Sequence, residues 1–154
     1  MNKQLTRNQF ETYLVRLAML AALLSISVFG QAAVGADLAA IDARIVLPKG
    51  DSITMPGYVT LENLTDKEII LIKIRSVSFE LSMIHQAIND RGNLRMTLKP
   101  ELLIKPKAKV VLKPGDVHFM FAGAKKDVRK GQVVSVDLYL NTGEKMPVEF
   151  RVVK

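Results

Sequence analysis

Residues 133–153 read VVSVDLYLNTGEKMPVEFRVV. Apolar and polar side chains alternate on both sides of a turn-forming Asn-Thr-Gly, with Val134 and Val136 in the first run and Val148 and Phe150 in the second. Side chains two residues apart share a face of a β-strand, so this alternation is typical of strands with one buried face. The stretch predicts two β-strands joined by a turn, and the same features indicate strands elsewhere in the chain.

Further segments with strand character are separated by turn-forming residues such as Pro114-Gly115. These segments are Ile41–Leu47, Tyr58–Asn63, Glu68–Phe79, Met83–Ile88, Asn93–Leu98, Lys109–Leu112 and Val117–Phe121. Many short strands at this spacing, without an internal repeat, predict an all-β fold of the sandwich or small-barrel type.

The N-terminal part of the chain has the plan of a secretory signal peptide. A basic start is followed by the apolar run Leu17–Phe29 and then by the small residues of Gly30-Gln31-Ala32. A helix over that run spans about 20 Å, which is short of the roughly 30 Å of a bilayer core, so a cleaved leader is favoured over an anchor. We expect a helical signal peptide at residues 1–32, export to the periplasm, and one mature domain at residues 37–153 that is free of the membrane.

The composition excludes several kinds of site. The 154 residues suit one domain and include two histidines and no cysteine. Without thiolates the chain cannot build a disulfide scaffold, an iron–sulfur cluster or the blue-copper centre of an electron-transfer cupredoxin. The sequence also lacks a Gly-rich phosphate loop and a Gly-x-Ser-x-Gly elbow. We therefore do not expect an enzyme.

Lys and Arg, 22 in number, outnumber the 15 Asp and Glu and give a formal net charge of +7. Lys105, Lys107 and Lys109 alternate, so they would share one face of an extended edge strand and deter edge-to-edge pairing. A second basic cluster lies at residues 125–130. Nucleic-acid binding would call for exposed aromatics between such charges, and aromatics make up 6% of the chain. We expect solvated surface and no nucleic-acid partner, with a docking face for an acidic protein as the alternative.

The segment Asp116–Phe121, DVHFMF, carries the most informative side chains. On a strand its Val and Phe side chains face the core, and His118 and Met120 share the opposite face. An exposed His beside a packed Met would give the same pattern. The other histidine, His85, and a further methionine, Met96, also lie on strand-like segments. Imidazole and thioether groups are soft ligands suited to Cu(I), and two of each would complete one shell.

The spacing His-x10-Met-x21-His-x-Met, from His85 to Met120, resembles that of the periplasmic copper chaperones that help to load the CuA centre of cytochrome c oxidase. The segment Gly57–Asn63 and the turn at Pro114-Gly115 are similar to that family as well. The likeness covers nearly the whole of the expected mature domain.

The resemblance implies a cupredoxin-like Greek-key β-sandwich or barrel that holds one Cu(I) per chain at an exposed end. By matching positions, its ligands would be His85, Met96, His118 and Met120. The implied role is that of a periplasmic Cu(I) chaperone, monomeric, that delivers copper to a recipient protein. That recipient would be a cytochrome c oxidase subunit or another copper chaperone.

Two other functions stay open at this point. The protein could store copper or confer tolerance to it, or it could be an exported β-sandwich interaction or assembly module without a metal. The remaining methionines are expected to pack: Met55 and Met146 in the core, and Met83, two residues before His85, as side-chain packing in preference to an auxiliary sulfur ligand.

Overall fold

The computed structural model describes residues 33–34, 37–50 and 52–154, and the regular structure within these ranges is β-strand. The predicted signal peptide, residues 1–32, lies outside the described residues. In chain order the strands are β1 (Ala33–Val34), β2 (Leu38–Val46), β3 (Thr54–Asn63), β4 (Ile69–Arg75), β5 (Phe79–Asp90), β6 (Asn93–Leu98), β7 (Leu102–Ile104), β8 (Lys109–Val111), β9 (His118–Ala124), β10 (Val133–Leu140) and β11 (Lys145–Val153). Among the described residues there is no helix with the length and apolar character needed to cross a membrane.

The strands are hydrogen-bonded in the order β6-β5-β9-β3-β2-β11-β10-β4-β7, with β1 added to β2 and β8 added to β3. The pairing of β2 with β11 is parallel, and the other pairs are antiparallel. The sheet closes over a core in which Phe119 and Phe121 of β9 pack on Phe150 of β11, with ring centroids 6.0 and 6.1 Å apart. The all-β sandwich predicted from the alternation is confirmed.

The core is built from the alternating apolar side chains of the strands. In β11 every second residue from Met146 to Val152 is at most 3% exposed, and the residues between them are exposed or half-buried. Removing an aliphatic or aromatic side chain from water contributes about 1.5–3 kcal/mol, so this alternation fixes which face of the strand turns inward. Met146 lies in the core as predicted. Met55 is half-buried and packs against the core.

One predicted element is wrong: Glu68–Phe79 is not a single strand. The chain leaves β4 after Arg75 and enters β5 at Phe79, and a turn separates the two strands. The Ser76 hydroxyl holds this turn, because it donates to the Ser135 carbonyl at 2.7 Å and accepts from the Ser78 amide at 3.3 Å. The turn contains neither Gly nor Pro, so its sequence carries no ordinary turn signal.

Close packing of β3 against β9 depends on Gly57. This glycine is buried and faces Phe119 in the register, and a Cβ atom added to it would lie 2.6 Å from Cε2 of Phe121. Only a residue without a side chain allows the two strands to approach in this way. The next residue along β3, Tyr58, is thereby brought beside the first residue of β9, His118.

Candidate metal centre

The candidate site lies on the outer face of β5, β6 and β9, which is the face opposite the hydrophobic core. In β9 the side chains of Phe119 and Phe121 point into the core and are fully buried. Because successive side chains of a strand alternate, His118 and Met120 project from the outer face. The structure therefore places this predicted pair of donors together on one side of the sheet.

The two histidines of the chain are direct cross-strand neighbours. His85 of β5 faces His118 of β9 in the antiparallel register. Their ring centroids are 5.9 Å apart and their planes make an angle of 81°. Two imidazoles held side by side on rigid strands can both direct a nitrogen at one metal ion.

The hydrogen bonds of His118 define which of its nitrogens is available. The ring is almost completely buried, at 4% exposure, and its Nδ1 lies 2.9 Å from the Asp116 carbonyl oxygen. A carbonyl only accepts, so Nδ1 carries the proton and donates. In the neutral ring Nε2 then has a free lone pair, which is the arrangement that metal-binding histidines commonly adopt.

His85 has a buried ring nitrogen that is suited to metal binding. Its Nδ1 is buried and, among the described residues, has no hydrogen-bond partner. Burial, together with the neighbouring His118, lowers the pKa of His85 below its usual value. The ring is therefore kept neutral, with a nitrogen lone pair facing no protein donor, as a metal ligand requires.

Met96 lies on the same face but further from the histidine pair. It is on β6 opposite Ala87, whereas Leu98 is the residue directly opposite His85. Met96 is thus a diagonal neighbour of His85, within reach of a long side chain, and it is 51% exposed. The structure puts all four predicted donors on one face, with Met96 at the solvent-exposed side.

The register places a further methionine, Met83, beside the site, although the sequence led us to expect it to pack. Met83 of β5 faces Met120 of β9, and this pair is two residues along each strand from the His85–His118 pair. Because Met83 and His85 are two residues apart, they share the outer face. The signal in the sequence was the spacing Met-x-His, which mirrors His118-x-Met120 on the partner strand, but only the register shows that the two pairs coincide.

On the β3 side the site is bordered by an aromatic ring and a positive charge. Tyr58 tilts toward His118 with ring centroids 6.3 Å apart, and the Arg44 guanidinium lies 5.5 Å from the centre of the Tyr58 ring. Burial raises the pKa of Tyr58 and Arg44 partly opposes that rise, so the phenol stays neutral. Tyr58 shields one side of His118 from water and keeps a cation close to it.

In the ranges 33–34, 37–50 and 52–154 there is no group of three or more His, Asp or Glu side chains that could hold an ion.

Two lysines of the basic segment 105–109 form ion pairs with nearby carboxylates. Lys109 pairs with Glu62 at 3.1 Å, and Lys107 lies in a turn, 3.5 Å from Asp66. The expectation that Lys105, Lys107 and Lys109 share an extended face is wrong, because the chain turns between β7 and β8.

The fold has known counterparts among copper-binding domains. The copper-bound PCuAC domain from PmoF2 superposes with a TM-score of 0.67 at 15% identity, covering 80% of this chain and 97% of that domain. The solution structure of Cu(I)-bound DR1885 from Deinococcus radiodurans gives a TM-score of 0.64 at 21% identity, covering 85% and 86% of the two chains. At these identities the likeness is one of fold, and the predicted cupredoxin-like sandwich is confirmed by it.

The chain is also similar to known proteins in sequence. Residues 38–152 match the family described as LpqE-like lipoproteins. The uncharacterised protein RP573 of Rickettsia prowazekii is 30% identical over 96 residues, which cover 62% of this chain and 53% of RP573. The chain thus matches about half the length of that relative.

Proposed function

The chain belongs to the LpqE-like family, and from its outer-face donors we propose that it binds one Cu(I) ion and carries it to a recipient protein. One observation above all supports this proposal: His85 and His118 face each other across two strands, and Nδ1 of His85 is buried without a hydrogen-bond partner among the described residues. A buried, unpartnered nitrogen costs stability, and a bound metal ion would remove that cost.

The donor types favour Cu(I) over other ions. Thioethers are soft and neutral, and together with imidazole they suit Cu(I), whereas Cu(II) prefers nitrogen and oxygen in tetragonal geometry. Met120 is beside the histidine pair on β9, and Met96 is diagonal to His85 on β6. Zn²⁺ sites are built from thiolates, imidazoles and carboxylates, and Mg²⁺ sites from oxygen ligands. The chain has no cysteine, and among the described residues no three His, Asp or Glu side chains are grouped to hold such an ion.

Access to the site supports a carrier. Transfer by ligand exchange requires that a donor of the recipient reach the metal before the carrier's own donors leave. Met96 is 51% exposed and Leu98, opposite His85, is 63% exposed, so the β6 side of the site is open to an approaching protein. The copper-bound structures of PmoF2 and DR1885, which have the same fold, support copper binding by this chain.

We further propose that the protein works in the periplasm and supplies the CuA centre of cytochrome c oxidase. The leader-like residues 1–32 support export. The His-x10-Met-x21-His-x-Met spacing supports this recipient through its resemblance to the chaperones of that centre. A deletion strain assayed for oxidase activity at low copper tests the recipient: a loss that added copper restores is expected, and undiminished activity would refute it.

The binding proposal is tested by anaerobic competition with a coloured Cu(I) chelator. The mature protein should remove one equivalent of copper from the chelator and stay colourless. The variant His85→Ala should lose most of this affinity, while Met55→Leu, a change on the core side of β3, should retain it. A protein that removes no copper, or a His85→Ala variant that binds as tightly as the original, would overturn the proposal.

A further inference from the structure

Two facing pairs of donors occupy successive positions on β5 and β9. His85 faces His118, and Met83 faces Met120. Facing residues of an antiparallel ladder have Cα atoms about 4.5–5.5 Å apart, and residues two apart on a strand are separated by about 6.6 Å. The four side chains therefore rise from the corners of a small rectangle on two adjacent strands.

Met96 lies on the other side of the histidine pair. It faces Ala87 on β6, whereas Met120 faces Met83. Met96 and Met120 thus lie on opposite diagonals of His85, one on each of the two strands that flank β5. A copper ion held by the two histidines and Met120 can be reached by Met96 from the exposed side and by Met83 from the sheet itself.

Met83 differs from the methionines that pack in the core. It is half-buried on the outer face. It lies two residues from His85 on β5 and faces the thioether side chain of Met120 on β9. The neighbouring core residue Ile84 is 5% exposed and faces Phe119. The apolar interior is thus already filled by Ile84, and Met83 is free to present its sulfur to the site.

We propose that Met83 is a copper ligand that alternates with Met96. With His85, His118 and Met120 as constant donors, the fourth position is taken either by Met83, which closes the site against the sheet, or by Met96, which opens it toward solvent. This inference rests on the proposed function, since it concerns the same Cu(I) site, and it explains how a carrier can hold its cargo and still offer it.

The exchange requires no redox chemistry. The copper–sulfur bond to one thioether forms as the bond to the other breaks, and copper remains Cu(I) throughout. Neither thioether has a proton to gain or lose, so no proton is released. When a recipient's ligand reaches the open side, it takes the fourth position from Met96 and the ion stays four-coordinate. When no recipient is bound, Met83 can fill that position.

Leucine substitutions test the alternation, because Met-to-Leu exchanges conserve volume and are well tolerated. If Met83 and Met96 serve equally, removal of either one halves the number of bound arrangements, so Met96→Leu and Met83→Leu should each weaken Cu(I) binding only about twofold. The double variant has no fourth donor and should bind at least about 100-fold more weakly than the original. Met55→Leu serves as the matched control.

X-ray absorption at the copper edge and methyl NMR of the methionines provide an independent readout. Both Met83 and Met96 methyl signals should shift on addition of Cu(I), and the single variants should keep two sulfur neighbours at copper. If Met96→Leu alone weakens binding as much as the double variant, or the Met83 methyl does not move, the Met83 assignment is refuted while the Cu(I) site stands. A wild-type protein that takes up no Cu(I) would instead refute the proposed function.

Discussion

Replacement of His85 by leucine should stabilise the copper-free protein while abolishing copper binding. The buried Nδ1 of His85 has no hydrogen-bond partner among the described residues. Burying a polar atom without a partner costs about 1–3 kcal/mol, and His85 is only half-buried, so we expect the lower end, about 1 kcal/mol, to be recovered. For a domain of this size the midpoint of thermal unfolding should rise by about 4 °C.

The matched variant His118→Leu should have the opposite effect on stability. His118 is 4% exposed and its Nδ1 donates to the Asp116 carbonyl at 2.9 Å, so leucine leaves that carbonyl without its donor. A loss of about 1–3 kcal/mol is expected. If the two histidines only contributed to packing, both leucine variants should lose stability. A gain for His85→Leu together with a loss for His118→Leu would indicate that the His85 nitrogen is kept without a partner for a metal ion.

Thermal unfolding followed by circular dichroism, with and without Cu(I), measures both effects. At a free Cu(I) level 100 times the dissociation constant, the original protein should gain about 2.7 kcal/mol, and the His85→Leu variant should gain none. The reasoning is refuted if copper-free His85→Leu is less stable than the original, or if Cu(I) still stabilises it.

Four further predictions can be checked on the same protein. Because burial lowers the pKa of His85, the unfolded chain takes up the proton first, so the copper-free protein should lose stability as the pH falls below about 6.5 and level off once folded His85 is also protonated; a urea midpoint independent of pH there would contradict this. Gly57→Ala should destabilise the fold by about 1–3 kcal/mol, since its Cβ would lie 2.6 Å from Cε2 of Phe121, and an unchanged melting point would show that β9 moves aside freely. Asn63→Ala should cost about 2–4 kcal/mol without altering Cu(I) affinity, because the Asn63 amide donates to the Lys67 and Ile104 carbonyls at 2.7 and 3.0 Å; weaker copper binding would mean that this distant turn influences the site. Mass spectrometry of the periplasmic protein should find an N-terminus between Ala33 and Asp37, with cleavage after Ala32 retaining β1; an intact Met1 in the membrane fraction would contradict cleavage of the leader and favour an anchored form.

The strands were predictable wherever one face is buried along several residues. In β10 and β11 the alternation is long enough to show directly, and burial follows it residue by residue. β7 was not predicted because its three residues, Leu-Leu-Ile, are all apolar and show no alternation. The division of Glu68–Phe79 escaped because Ser76 anchors the turn to Ser135, a residue remote in sequence.

For the site, the sequence and its family resemblance predict which side chains are donors but not how they are arranged. The shared face of His118 and Met120 follows from the period of a strand. The facing of Met83 with Met120 depends on the register between β5 and β9, which is set by packing across the core and not by either segment. The unpartnered nitrogen of His85 likewise depends on what surrounds the ring in three dimensions.

The parallel pairing of β2 with β11 has a consequence for how the molecule forms. Ile45 faces Val152 in this ladder, and nearly the whole described chain lies between them. Contacts so distant in sequence form slowly, because the entropy of closing a long loop is lost before the contact contributes. The first long strand therefore remains without one of its neighbours until the last strand has been synthesised. A sheet that is completed so late keeps the chain extended for longer, which is the state that the proposed export across a membrane requires.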